Sequence, residues 1–191
     1  MPTPARTSID ALVTAGRSIL EAEGLDGLTM QRVATAVGVR APSLYKHVRD
    51  RWALVRLIAT DVAQELAASL EAAATTGDPR TDLRALAVAY REFARGHPEA
   101  HGLLFARLPQ PARVDAAVNA RAAEPIVRTA AALAGPYHAL EAARTVVAWT
   151  IGFVGMELAG GFRLGGDVDE AFDYGIERLT DSIGRAGREG R

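Results

Sequence analysis

Apolar residues along this chain recur every three or four positions, and stretches that alternate apolar with polar at every second position are absent. That is the period of an α-helix, so the chain reads as all-α. The first stripe, Ile9, Leu12, Val13, Gly16, Ile19 and Leu20, predicts a helix beginning near Thr7, where Thr7-x-x-Asp10 resembles a capping box. Acid in that first turn also suits the positive end of the helix dipole. Gly24 supplies a left-handed stop, with Leu25 folding back on the last turn. Thr29 caps a second helix whose inner face is Met30, Val33, Ala34 and Val37, and Gly38 ends it. Pro42 fits the first turn of a third helix, where its missing N–H costs nothing, and Leu44 and Val48, four apart, pack inward.

Asp50 caps a long fourth helix over 51–74 with the stripe Leu54, Val55, Ile58, Val62, Leu66 and Leu70. At 1.5 Å per residue it spans about 36 Å, enough to link a head to a body. Residues 75–79 form a loop; a fifth helix covers 80–97 and breaks at Pro98, and a short one covers 98–107. Helices near 113–134, 137–160 and 168–184 follow, while the tail from Gly184 to Arg191 has no apolar face and reads as frayed. The expected division is a head over 1–52, ordered from Thr7 to Trp52, and a body over 53–191.

Composition narrows the function classes. With 191 residues the chain can bury a core unaided. It has no cysteine, which excludes disulfides, zinc fingers and thiolate chemistry. No apolar run is expected to reach the ~20 residues of a membrane span, and the start, Met-Pro-Thr-Pro-Ala-Arg-Thr, is unlike a secretory signal. A cytoplasmic protein with no membrane partner is expected. The net charge is only −1, yet residues 28–52 hold Arg32, Arg40, Lys46, Arg49 and Arg51 against Asp50 alone, a local +4. Residues 53–191 carry 15 basic and 18 acidic groups. A basic patch on an acidic body is a plausible footprint for DNA, whose phosphates supply much of the affinity.

The third helix carries the chemistry. A helix that enters a DNA groove needs small or polar groups outward, apolar anchors behind and basic flanks, and residues 40–51 meet all three; an ordinary helix pair in a helical body is the alternative. The run Gly38-Val39-Arg40-Ala41-Pro42-Ser43-Leu44-Tyr45-Lys46-His47-Val48-Arg49-Asp50-Arg51, preceded by Leu28-Thr29 and Ala34-Thr35-Ala36-Val37, resembles the N-terminal domain of the tetracycline-repressor family. The Ala-Pro-Ser-Leu-Tyr-x-His-Val form is similar to the tetracycline-repressor subgroup itself; most of the wider family has Phe where Val48 stands. The resemblance, over residues 7–55, implies a three-helix helix-turn-helix DNA-binding domain followed by a helical ligand-binding and dimerisation domain. It implies backbone-phosphate contacts from Thr29, Tyr45, His47 and Arg51, and groove or base-edge contacts from Gln31, Ala41, Pro42, Ser43 and Lys46. Arg40, in the turn, adds charge at the same place. Ala41 and Pro42 suit a thymine methyl, and Gln31 can read adenine. Tyr45 has a packing alternative for its ring, His47 a solvated one, and Trp52 is expected to pack and not to touch DNA. The family binds as a two-fold dimer, so the operator is expected to be a near-palindrome with heads about one helical turn apart.

In the body, Gly152-Phe153-Val154-Gly155-Met156-Glu157-Leu158-Ala159-Gly160-Gly161-Phe162 and Asp167–Phe172 resemble the regulatory domain called WHG. Ile151 departs from its usual His, and Trp149 is not at the signature tryptophan position. Gly152, Gly155 and Ala159 share one helix face, which suits either a dimer seam or close packing within the chain. Phe172, Ile176, Leu179 and Ile183 stripe the last helix, and the resemblance implies that the last two helices pair with their mates in a four-helix bundle. It also implies an effector pocket, for which Tyr90, Phe93, His97, Phe105, Trp149, Phe153 and Met156 are the candidates, with Arg107 and Glu157 as orienting charges; together they suit a small apolar effector.

His97 and His101 stand four apart with Pro98 between them; the pattern is not His-Glu-x-x-His, and no metal or cofactor is expected. No phosphate loop or nucleophile–base set marks an enzyme. The leading expectation is a ligand-responsive dimeric repressor on double-stranded DNA. An effector-free DNA-binding dimer and a small helical enzyme are the alternatives.

Overall fold

The structure, a computed structural model, describes residues 8–189, with side chains to Arg185. Among them are helices and turns and no strand. The helices are α1 (Ile9–Gly27), α2 (Met30–Ala36), α3 (Ala41–Leu44), α4 (Arg51–Ala73), α5 (Pro79–Gly96), α6 (Pro98–Phe105), α7 (Ala116–Ala134), α8 (Ala139–Leu158) and α9 (Val168–Glu189). Two compact units result: one reaches to Glu65 and takes in His97–Asn119, and the other comprises Leu66–Gly96 and the chain from Ala120 on. The first unit is thus larger than the head over 1–52, because α6 packs on α1.

In the first unit the Ser8 hydroxyl accepts from the Ala11 N–H at 3.1 Å and caps α1. Thr7, the expected cap, lies outside the described residues; a cap at Ser8 puts Ala11 where a capping box needs Glu or Gln. Leu12, Val13, Gly16 and Leu20 are buried, whereas Ile9 is 45% exposed, so the core stripe starts one turn later than its apolar spacing suggests. Gly24, at φ +68°, kinks α1, which resumes to Gly27. A Cβ at Gly16 would sit 2.5 Å from Ile58 Cδ1, so this glycine lets α1 approach α4. Leu54, Val55, Ile58 and Val62 are buried on that face of α4. The start of α6 is capped from α1: Glu21 accepts from the N–H groups of Glu99 at 3.2 Å and Ala100 at 3.0 Å. His97, at the N-cap position, makes no side-chain cap of its own, so Glu21 satisfies donors that would otherwise be orphaned.

In the second unit Asp82 organises the turn before α5. Its carboxylate accepts from the Thr76 N–H at 2.9 Å, the Thr76 hydroxyl at 2.7 Å and the Gly77 N–H at 3.0 Å. These bonds, the Thr76 hydroxyl foremost, hold the carboxyl below the ordinary aspartate range. A carboxyl lowered on folding adds stability above its unfolded value of about 3.9, and that stability is lost as pH falls through the folded value. Asp82→Asn is therefore expected to lower the melting temperature at pH 7, with the gap to wild type closing as pH falls below the ordinary aspartate range of about 3.9; an unchanged gap in a pH series of thermal melts would refute the assignment.

Two expectations are corrected here. α9 continues to Glu189, so the frayed tail expected from Gly184 is helical backbone over most of its length. The stretch Pro136–Leu158 is long and apolar enough, by length and composition alone, to cross a membrane, with a mean hydropathy of 1.2 over its most apolar 18 residues. Glu141 and Arg144 interrupt its apolar residues, so no uninterrupted apolar run of that length stands in the sequence. Only 28% of those 18 residues are buried within the chain, so much of an apolar helix lies uncovered.

Candidate nucleic-acid interface

Thr29, in extended backbone, accepts from the Arg32 N–H at 3.2 Å and starts α2. The turn after α2 depends on Gly38 at φ +73°, where a Cβ would meet no neighbour but L side chains are strained. Its N–H donates to the Thr35 carbonyl at 3.1 Å, and the Val39 N–H donates to the Ala34 carbonyl at 2.9 Å. Pro42 sits in the first turn of α3. Regular α-helix ends at Leu44; the His47 and Val48 N–H groups then both donate to the Leu44 carbonyl, at 2.8 and 3.0 Å, tightening the segment. Leu28, Val33, Ala34 and Leu44 are fully buried and Val48 nearly so. These anchors turn the other side outward: Thr29, Gln31, Arg40, Pro42, Tyr45, Lys46 and His47 are exposed, and Ala41 and Ser43 half-covered. Tyr45 is 54% exposed, so its ring is not a core residue.

The charges of this segment sort into two groups. Arg32 pairs with Glu23, and Arg49 pairs with Asp50 at 2.9 Å. Arg51 donates to the Leu28 carbonyl at 2.6 Å and to the Leu25 carbonyl, and its guanidinium lies 4.8 Å over the Trp52 ring. It closes the end of α1, where carbonyls lack helical partners. The Asp50 carboxyl is held below its usual range by the Ala53 N–H, which it caps at 2.8 Å, and by Arg49. Arg40 and Lys46 have no ion-pair partner among the described residues. The expected local +4 thus resolves into two unpaired cations flanking α3 and three engaged within the chain.

The effector candidates fall in both units. His97 and Phe105 belong to the first unit, and Phe105 is 52% exposed. Of those in the second, Tyr90 and Phe93 are buried, and Met156 is 51% exposed. Burial pushes the Tyr90 phenol upward. Trp149 and Phe153 join a packed aromatic cluster: Trp149 lies 5.2 Å from Phe172, and Phe153 lies 5.2 Å from Phe172 and 4.7 Å from Phe162. Arg91, 4.6 Å over the Phe172 ring, binds both oxygens of Glu157 at 2.8 and 2.6 Å and Asp169 at 2.7 Å. Glu157, expected to orient a ligand, is therefore already engaged.

The dimer candidates divide in the same way. Phe172 and Ile176 are fully covered by their own chain, and Ile183 packs on Ala130, Ala134, Ala142 and Ala143. Phe172 and Ile176 are thus corrected from a subunit seam to core, while Leu179 on the same stripe is half-covered. On α8 the small residues face out: a Cβ at Gly152 or Gly155 meets nothing within 4 Å, and Ala159 is exposed. Close packing within the chain is thereby excluded for these two glycines. On α9, by contrast, Gly175 admits a neighbour: a Cβ there would strike Trp149. Neither Gly175, Arg91, Glu21 nor Asp82 was a candidate from sequence.

Residues 12–58 match the model of the bacterial regulatory proteins, tetR family, and residues 83–179 match the tetracyclin repressor-like C-terminal domain. The HTH-type transcriptional regulator Rv0681 of Mycobacterium tuberculosis is 34% identical over 107 residues, 56% of this chain and 48% of that protein. The class E tetracycline repressor protein of Escherichia coli is 35% identical over 54 residues, 28% of this chain and 26% of its own. The chain thus spans about half or less of the length of these curated relatives. A protein of unknown function from Rhodococcus sp. RHA1 superposes with a TM-score of 0.82 at 29% identity, over 95% of this chain and 98% of its own. With a DNA-binding helix pair in front and a matching helical domain over half of its length behind, the chain belongs to the tetracycline-repressor family of transcriptional regulators, which are not enzymes.

Proposed function

We propose that this regulator is a dimeric repressor, cytoplasmic, that holds a near-palindromic operator and is released by a small-molecule effector. Residues 1–52 form the DNA-binding head, and 53–191 carry effector binding and dimerisation. The observation that carries the reading is the pair of unpaired cations, Arg40 and Lys46, beside exposed Tyr45 and His47 on a segment fixed from behind by Leu44 and Val48. In this reading Tyr45, His47 and Thr29 grip phosphates, while Gln31, Ala41, Pro42, Ser43 and Lys46 face the groove. Arg51 contributes by holding the end of α1 against the start of α4, which sets the pose of the head.

The exposed face of α8 supports the dimer. Gly152, Gly155, Met156 and Ala159 offer a smooth apolar strip on a helix that the chain itself leaves largely uncovered. Gly152→Leu is expected to keep the monomer folded, since its side chain enters open space, and to raise the dimer dissociation constant at least about tenfold, or 1.4 kcal/mol. Sedimentation equilibrium reads this; an unchanged constant would remove α8 from the seam.

The direct test is a gel shift with DNA flanking the chain's own gene. Expected are a salt-sensitive complex with two chains per site, footprint symmetry about a dyad, and release by a cognate small molecule. Binding no tighter than to competitor DNA would overturn the reading, and a complex that no effector releases would leave a DNA-binding dimer without ligand control.

A further inference from the structure

A cleft of about 760 Å³ lies wholly within the first unit, between Trp52 at the start of α4 and the segment from α6 to the first turn of α7. We propose that it binds a small aromatic carboxylate. The apolar wall comprises Trp52, Leu103 and Leu108, and the polar groups are Arg107, Arg113 and Asn119. No acidic side chain lines it. Arg107 is exposed and has no ion-pair partner among the described residues. Arg113 uses its Nε to donate to the Leu108 carbonyl at 3.1 Å, which orients the guanidinium without neutralising it. Two uncompensated guanidinium groups, an amide and an indole match a ligand with one planar anionic end and one flat apolar body. Arginine binds carboxylates through paired N–H donors, which a neutral isostere cannot reproduce. The volume is in the range of small-molecule sites, about 300–1,000 Å³.

The position gives occupancy a route to the DNA head. The indole that walls the cleft is the ring on which the Arg51 guanidinium rests, and Arg51 holds the last carbonyls of α1. A ligand pressed on Trp52 therefore acts on the brace between α1 and α4. The binding claim stands on the cleft alone; its consequence for DNA rests on the repressor reading above.

The probe is 2-naphthoate, compared with neutral 2-naphthamide, by titration calorimetry on the full chain. Expected are one saturable site per chain, at least about tenfold preference for the acid, and weakening by added salt. Arg107→Gln, which removes no ion pair or side-chain hydrogen bond among the described residues, is expected to abolish the preference at unchanged melting temperature; Arg113→Lys, which keeps the charge, is expected to retain part of it. Equal affinity for acid and amide, no saturable binding up to about 1 mM, or full preference in Arg107→Gln would each overturn the proposal. The promoter gel shift run with 2-naphthoate separates the two readings. Binding that depends on Arg107 but leaves the DNA complex intact upholds the site and removes its regulatory role, whereas a chain that binds naphthoate but no promoter DNA upholds the site and defeats the repressor reading.

Discussion

Replacing both Tyr45 and Lys46 with alanine is expected to lower operator affinity at least about a hundredfold, some 2.8 kcal/mol, without unfolding the protein. Tyr45 is 54% exposed and Lys46 exposed, so their removal opens no cavity behind Leu44 and Val48. A two-fold dimer loses four side chains at once. Spread over four contacts, the loss is about 0.7 kcal/mol each, below the roughly 1–3 kcal/mol of a good base contact, so the figure is a floor. Lys46 also carries the electrostatic part: each cation withdrawn from the groove is expected to lessen the salt slope, by up to about 0.9. Fluorescence anisotropy on a labelled operator across a salt series reads affinity and slope together. Wild-type affinity in the double variant would mean that α3 does not enter the groove. The informative control is Leu44→Ala, which also abolishes binding but by a cost of about 2–5 kcal/mol in the core, visible as a lower melting temperature. Loss of binding at full stability is the signature of a contact residue.

The head was legible in the sequence because its signals are local. Thr29, Gly38, Pro42 and Asp50 each act within three or four residues, through a cap, a left-handed turn or a fixed φ, and the structure places all four in those roles. The charge count was legible too, but not its division. Whether Arg51 faces solvent or the end of α1 depends on carbonyls 23 and 26 positions away. The body was harder for the same physical reason. An apolar stripe says that a helix has a face to bury and not what buries it. On α9, Phe172 and Ile176 meet their own chain, while a Cβ at Gly152 or Gly155 of α8 meets nothing within it. Glu21 capping a helix 78 residues on, and Arg91 clasping Glu157 across 66, leave no local trace at all.

Gly175→Ala is expected to destabilise the second unit, although alanine is the better helix former. Glycine in a helix interior costs about 1 kcal/mol relative to alanine, so propensity alone favours the change. Against this, the added Cβ would overlap Trp149 Cζ2, with Cη2 and Cε2 at 3.0 and 3.1 Å. The indole is a rigid plate, and its path is restricted by Phe153 and Phe172, whose ring centroids lie 5.4 and 5.2 Å away. It cannot yield as a flexible chain end does, so α9 must back away from α8 or the whole aromatic cluster must shift. Overpacking of this kind costs about 1–3 kcal/mol, and at a contact with the edge of a ring the upper end applies. The net expectation is a loss of about 1–2 kcal/mol after the helix gain is subtracted. Gly155→Ala supplies the reference: in the last turn of α8, with no atom within 4 Å of the new Cβ, it keeps part of the helix gain and meets no clash within the chain. Urea melts of the two variants, at concentrations low enough to hold the protein monomeric, should therefore move in opposite directions. If Gly175→Ala moved with Gly155→Ala, the ring would have room to turn aside, and the close approach of α8 and α9 would not be what keeps Gly175 a glycine.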